Sequence, residues 1–577
     1  MISIEEIKEK AAKWLGEEFN EQTKEEVRNM MENDEQKLID AFYQDLEFGT
    51  GGLRGIMGAG TNRMNIYTLG MATQGLSEYI IKKVGANDIK VAVAYDCRNN
   101  SKLFAETAAG IFSANGFKVY LFESLRPTPE LSFAIRHYKC QSGIVITASH
   151  NPPEYNGYKA YWSDGGQVVA PHDTGIIEEV RKINSVSQIK FNGKKENIEI
   201  IGKEIDEFFL QEILKFRFNP EVIQKNSSIG IVYTPIHGTG VKIIPDALKL
   251  FGFKNIINVP EQDVVDGNFP TVKSPNPEEP GALKMAIEKA IATNADIVMA
   301  TDPDSDRLGV AVRNKTGEFI LLNGNQTCVL LVWYILSQYK EKGLYKGNEY
   351  VINTIVTTDL VEKIAEHYNV EYFSVITGFK FFGELITEYE GIKKYIGGGE
   401  ESYGFLSGEY VRDKDAVGSC ALFAEIAAWS KEQGKSILDT LIDIYVKYGL
   451  YKEKLVNIAK KGKEGADEIK AMMTDYRNNP PATINGSRVI KIADYQLQTM
   501  TDKLTGISQK INLIKSDVLQ FFLEDGSKIS VRPSGTEPKI KFYFSVNKKI
   551  CSADEFETTE KILNEKIEEI IRDMKLL

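Results

Sequence analysis

Cysteine is scarce and scattered: Cys97, Cys140, Cys328, Cys420 and Cys551 in 577 residues, with no CxxC pair. That excludes a disulfide framework and a cysteine-based zinc site, and it fits reduced thiols in a cytoplasmic setting. Long apolar runs are missing too. The segment around Val329–Leu336 falls short of the roughly 18–20 residues that cross a bilayer, so no membrane span is expected. The acidic, amphipathic start (Met1-Ile-Ser-Ile-Glu-Glu) lacks the basic-then-apolar order of a secretory signal. No Walker A sequence occurs, which disfavours nucleoside triphosphate chemistry, and no G-x-S-x-G surrounds Ser149. Positive charge is also lacking. Lys+Arg number 70 against 81 Asp+Glu, and a net charge of -11 argues against nucleic acid or an anionic membrane as partner. No period of 20–50 residues marks a solenoid.

What is present is an ordinary globular composition, 42% hydrophobic and 26% charged, long enough for about three to five domains with their own cores. Residues 1 to 46 carry Ile7, Ala11, Trp14, Leu15, Leu38, Phe42 and Leu46 at helical spacing among Glu and Lys, predicting packed helices. A glycine-dense loop follows, Gly49 to Gly60. Short β-rich runs then alternate with helical ones: Lys90–Tyr95, Lys118–Phe122, Gly143–Thr147, Ser228–Tyr233, Asp296–Ala300, Tyr350–Asn353 and Lys394–Gly397 as strands, with Ser101–Ala114, Pro280–Thr293 and Asn325–Tyr339 as helices. The alternation predicts α/β units with parallel or mixed sheets. Lys460–Gly465 and Asn478–Pro481 read as surface connections. The last hundred residues predict strands at Lys528–Val531 and Ile540–Ser545, then a helix burying Leu563, Ile567, Ile570, Ile571 and Met574, as in an α+β domain.

Four segments carry chemistry. Asp302-Pro-Asp304-Ser-Asp306-Arg307 places three carboxylates directly after an apolar strand. A solvated acidic turn is the plain alternative, but their mutual repulsion is costly without a cation. All-oxygen ligands favour a hard ion, Mg²⁺ first, and Arg307 and Arg313 stand where an EF-hand needs its glycine and glutamate. Thr147-Ala-Ser149-His150-Asn151-Pro ends a strand in a serine, with Lys159 downstream. This suits a hydroxyl that carries phosphate, and equally a simple serine turn. Gly397-Gly-Gly-Glu400-Glu401-Ser402-Tyr-Gly404 offers acceptors for vicinal sugar hydroxyls, or is a glycine turn with exposed acids. Arg532-Pro-Ser534-Gly535-Thr536 makes a phosphate cradle from backbone N–H groups, hydroxyls and a guanidinium, or an unliganded turn.

In this order, the four segments resemble the loops of the α-D-phosphohexomutase superfamily, over about residues 45–577. Length and the amino-terminal helices before GTGGLRG resemble its longer phosphoglucomutase/phosphopentomutase-type subgroup. The resemblance implies three consecutive α/β mixed-sheet domains plus a C-terminal α+β domain around a central cleft. Boundaries are expected at 1–208 (helices and phosphoserine), 209–325 (metal), 326–450 (sugar) and 451–577 (phosphate). It further implies that Ser149 is phosphorylated in the active enzyme, and that Asp302, Asp304 and Asp306 hold Mg²⁺ with a phosphoserine oxygen. Arg307 would contact that phosphate. Glu400 and Ser402 would bind sugar hydroxyls, and Arg532, Ser534, Gly535 and Thr536 the non-reacting phosphate. Arg54, Thr377, Gly378 and Lys380 fall in segments that line the family's cleft.

Two departures stand out. Gly51 replaces a serine common in the family's GTSGLR form. Some relatives carry a proton-transferring histidine after the sugar loop, where this chain has Tyr403-Gly-Phe. Lys414, in Arg412-Asp-Lys-Asp415, is then the candidate acid/base, with Lys159 second and His150 beside the serine. A lysine in that role needs its pKa lowered. The implied reaction is the interconversion of α-D-glucose 1-phosphate and glucose 6-phosphate by a cytoplasmic isomerase of carbohydrate metabolism. Glucose 1,6-bisphosphate would be its intermediate and activator, and small sugar phosphates the partners of a monomer or homodimer. Pentose or mannose phosphates, a sugar-bisphosphate synthase and a non-catalytic sugar-phosphate binder are the alternatives.

Overall fold

Three of the strands with the apolar character of central parallel strands, Lys90–Tyr95, Lys118–Phe122 and Ser142–Ile146, are almost wholly buried, because helices cover both faces of their sheet. The computed structural model describes residues 3–49, 51–460, 462–534 and 539–576. These fall into two compact units: residues 1–324 with 379–432, and 325–378 with 433–577.

The first unit holds two large sheets. One has six strands in the order Gly52–Ile56, Tyr155–Trp162, Ser142–Ile146, Lys90–Tyr95, Lys118–Phe122, Ile198–Ile201, parallel except for the first two. The other has five, in the order Phe319–Leu322, Leu308–Arg313, Ile297–Thr301, Ile231–Thr234, Ile256–Asn258. An antiparallel pair, Lys394–Gly399 with Phe405–Leu406, precedes the almost completely buried helix Ala416–Glu432. The amino-terminal helices Ile4–Lys13, Glu21–Asn33 and Glu35–Phe42 build a core from Ile7, Trp14, Phe19, Val27 and Phe42 that continues into Tyr67, Ile111 and Ile189 of the first domain. Trp14 stacks on Phe19, and the backbone N–H of Asn20 donates to the Tyr67 hydroxyl at 2.8 Å.

The second unit contains the parallel pair Glu349–Thr354 and Glu371–Val375. It also has an antiparallel sheet of eight strands in which Leu450–Ala459 and Lys539–Lys548 form the longest ladder. Helix Phe556–Asp573 buries Leu563, Ile567, Ile570 and Ile571.

Three sequence expectations change. Part of the glycine-dense stretch is strand, Gly52–Ile56, paired with Tyr155–Trp162. Gly52 (φ 140°) permits this approach, since a Cβ there would sit 1.7 Å from the Tyr158 carbonyl oxygen. The polar run after Ser149 becomes strand at Tyr155, its aromatic residues alternating with small or polar ones. The Lys460–Gly465 connection is short, because helix Gly462–Asn478 begins within it. No helix among the described residues is long and apolar enough to cross a membrane.

Candidate active site

The chemistry-bearing loops of the first unit leave the carboxyl ends of strands, where α/β sheets place their ligands. Ser149 follows Ser142–Ile146, Asp302 follows Ile297–Thr301, and Glu400 follows Lys394–Gly399. Each loop contains a non-glycine residue in the left-handed region: Ser149 (φ 51°), Ser305 (φ 52°) and Tyr403 (φ 69°). Such residues persist only where the surroundings hold them.

Asp302, Asp304 and Asp306 are buried, with ligand oxygens within 4.8 Å of one another. Each carboxylate has one oxygen anchored by the protein. Asp302 Oδ1 accepts the backbone N–H groups of Asp306 (3.1 Å) and Arg307 (3.0 Å). Asp304 Oδ2 accepts from Thr128 Oγ1 (3.0 Å) and Lys159 Nζ (2.7 Å). Asp306 Oδ2 faces Lys159 Nζ at 3.5 Å and Lys414 Nζ at 3.2 Å. The other oxygens differ. Those of Asp304 and Asp306 (Oδ1) are buried without a hydrogen-bond partner, and Asp302 Oδ2 accepts from Ser149 Oγ at 2.8 Å. Burial and the charges of Asp304 and Asp306 push the Asp302 carboxyl well above its usual range. Orphaned buried oxygens on a set of hard donors fit Mg²⁺, whose charge would relieve that repulsion.

Ser149 Oγ also lies 3.2 Å from His150 Nδ1. Burial, with the nearby Arg307 and Arg54, pushes His150 well below its ordinary value and keeps it neutral. Arg54 donates to Asn151 Oδ1 at 3.2 Å. Arg307 is ion-paired with Glu278, and an antiparallel bridge from Arg307 to Gly404 ties the aspartate loop to the Glu400 loop. Glu400 is buried, while Ser402 lies partly exposed in the turn after it. Lys414 crosses Gly404 so closely that a Cβ there would meet its Cδ at 2.1 Å. Burial opposes the charge of Lys159 and of Lys414, yet both pKa values are raised: Asp304 and Asp306 outweigh burial at Lys159, and Asp306, Asp413 and Glu400 at Lys414. The sequence requirement of a lowered lysine pKa is therefore not met by either residue in this arrangement.

Lys380 has Asp173 and Glu384 as its charged neighbours and lies over the Phe381 ring. Thr377, Gly378, Arg532 and Ser534 belong to the second unit. There Gly378 has φ 125°, Arg532 lies on strand Lys528–Pro533, and the Ser534 N–H donates to the Lys539 carbonyl at 2.7 Å. Gly535 and Thr536 lie outside the described residues.

Sequence reasoning missed several supporting side chains. The buried Arg98 guanidinium donates to the carbonyls of Ser149 (2.7 Å), Pro152 (2.8 Å), Tyr155 (3.0 Å) and Asn151, clamping the serine loop. Its signal was Asp96-Cys-Arg98 immediately after an apolar strand. Thr128, at the start of helix Thr128–His137, holds Asp304 through its hydroxyl, and its backbone N–H reaches the Asp304 carbonyl (2.9 Å).

Residues 45–187, 207–317, 323–448 and 455–549 match, in order, domains I, II and III (alpha/beta/alpha) and the C-terminal domain of phosphoglucomutase/phosphomannomutase. The chain belongs to that family, within the α-D-phosphohexomutase superfamily. A phosphoglucomutase of Staphylococcus haemolyticus (strain JCSC1435) is 35% identical over 511 residues, 88% of this chain and 91% of the relative. One of Staphylococcus aureus (strain USA300) is 37% identical over 507 residues, 88% and 90% of the two chains. Two solved structures share the fold. A putative phosphomannomutase from Thermus thermophilus has TM-score 0.67 and 20% identity, covering 92% of this chain and 98% of that one. The phosphoglucomutase pp63/parafusin from Paramecium has TM-score 0.66 and 17% identity, covering 92% and 96%.

Proposed function

We propose that this phosphohexomutase-family chain is a phosphoglucomutase. It interconverts α-D-glucose 1-phosphate and glucose 6-phosphate through phosphorylated Ser149 and a glucose 1,6-bisphosphate intermediate. The observation that carries the reading is the Ser149 hydroxyl placed against Asp302 Oδ2, beside two buried carboxylate oxygens that accept no hydrogen bond. The relatives at 35–37% identity, which bear that activity as their name, support the choice of hexose.

In the forward half-reaction the Oγ–P bond of phosphoserine 149 breaks as a sugar hydroxyl oxygen bonds the phosphorus. Arg307, freed from Glu278, offsets charge on the transferring group, and Arg98 keeps the serine loop from recoiling. Asp302, Asp304 and Asp306 are the residues that would hold Mg²⁺, and the ion would supply charge neutralisation to the same group. Lys414, with Lys159 as the second candidate, gives its ammonium proton to the departing Ser149 Oγ and is reprotonated by the sugar hydroxyl, whose oxygen now bonds the phosphorus. Both carry a proton in this arrangement, which is the form that serves a leaving oxygen. Glu400 and Ser402 receive the hydroxyls of the sugar in either orientation. The bisphosphate then turns over and returns its other phosphoryl group to Ser149.

Comparing kcat/KM for glucose, mannose and ribose 1-phosphates, primed with glucose 1,6-bisphosphate, tests the assignment. Preference for glucose 1-phosphate is expected. A pentose or mannose preference overturns the substrate, and bisphosphate synthesis without mutase flux overturns the reaction.

A further inference from the structure

Tyr161 stands two residues after Lys159 on strand Tyr155–Trp162, so both side chains leave the same face. Lys159 reaches Asp304 and Asp306. Tyr161 is fully buried, and its hydroxyl donates to Asp413 Oδ2 at 2.6 Å. Asp413 Oδ1 accepts both the backbone N–H (2.8 Å) and Nζ (3.2 Å) of Lys414. The same ammonium lies 3.2 Å from Asp306 Oδ2. Lys414 is thus held from two sides, by an aspartate of the triad and by an aspartate that Tyr161 holds.

The chemistry explains why such a hold is needed. A lysine head on a four-carbon stem has wide rotamer freedom, and proton transfer depends on its staying at one point. The stem is confined by Gly404 and by the Phe379 ring, 5.5 Å from Nζ, but neither fixes the ammonium. Asp413 does so only while its carboxylate plane is fixed. The Tyr161 hydroxyl fixes it by occupying the oxygen turned away from Lys414. A phenylalanine would fill the same buried volume, so packing alone gives no reason for the hydroxyl.

We infer that Tyr161 is a positioning residue of the mutase reaction: through Asp413 it holds the Lys414 ammonium against Asp306. The inference rests on the functional reading above, in which Lys414 moves the proton.

The test is a double-mutant cycle in the full-length enzyme with Mg²⁺ and glucose 1,6-bisphosphate. Tyr161→Phe is expected to lower kcat about tenfold, with KM for glucose 1-phosphate and the Mg²⁺ activation constant within about twofold. Asp413→Asn should lower kcat at least as far. The double variant should be no slower than Asp413→Asn alone, because the two residues act through one contact. The cycle shows that the two residues act through one contact, and the loss of kcat at unchanged KM and Mg²⁺ activation is the readout that a purely structural role would not give. Wild-type kcat in Tyr161→Phe, multiplying losses in the double variant, or unfolding of Tyr161→Phe would overturn the positioning role. Wild-type turnover is measured first. Its absence refutes the mutase reading and the inference with it, whereas an active wild type with a full-speed Tyr161→Phe refutes the inference alone.

Discussion

Ser149 Oγ and Asp302 Oδ2 lie 2.8 Å apart, although 153 positions separate the residues in sequence. The hydroxyl donates to the Asp302 oxygen opposite the one that the backbone N–H groups of Asp306 and Arg307 anchor. A phosphoryl group on Ser149 would therefore arrive beside the three oxygens best placed to hold a cation. Replacing Asp304 by Asn removes one of those charges. Mg²⁺-dependent turnover is expected to fall by at least a hundredfold, and unchanged activation by Mg²⁺ would remove Asp304 from the site.

Thr128 fixes the far oxygen of Asp304. Thr128→Val keeps the shape and deletes the donor, a loss of about 1 kcal/mol. The Mg²⁺ concentration giving half-maximal activity should rise roughly fivefold, with little change in KM for the sugar phosphate. A titration that superimposes on wild type would show that Lys159 alone suffices to orient the carboxylate.

Gly404 admits the Lys414 stem. In Gly404→Ala the new methyl would strike Cδ and push the ammonium away from Asp306 and Asp413. The expected outcome is a kcat loss of about tenfold or more with a near-native melting temperature. Full activity would mean that Lys414 does not work from this position.

Much of this site was legible as sequence because its residues are consecutive in loops that end strands. The three aspartates, Ser149 and Glu400 could be read from their spacing. Arg98, Thr128, Tyr161 and Glu278 could not, since each acts across a tertiary contact that no local pattern encodes. The strand at Tyr155–Trp162 was hidden for a similar reason: its partner, Gly52–Ile56, looks like a glycine loop until the two pair. The C-terminal helix was plain, because its buried residues keep helical spacing.

Asp415 gives a pH signature. Burial raises its carboxyl to about 6, against the opposing hydrogen bonds from Tyr410 and the N–H groups of Gly418 and Val417. A raised acid binds its proton more tightly when folded. Its contribution to stability is therefore fully present below the unfolded value near 4 and lost as pH rises through about 6, at a cost on the order of 3 kcal/mol. Asp415→Asn removes that titration. Melting temperatures of the two proteins between pH 4 and 7 should converge, or the variant overtake, toward the higher pH. A constant difference across the range would contradict the assignment.

The central claim is that Ser149 carries the phosphoryl group. Incubation with glucose 1,6-bisphosphate, followed by intact and peptide mass measurement, tests it directly. An addition of about 80 Da on the peptide containing Ser149, absent from Ser149→Ala, is the expected result. Phosphate on another residue, or an unmodified Ser149 in an enzyme that still turns over glucose 1-phosphate, would contradict it.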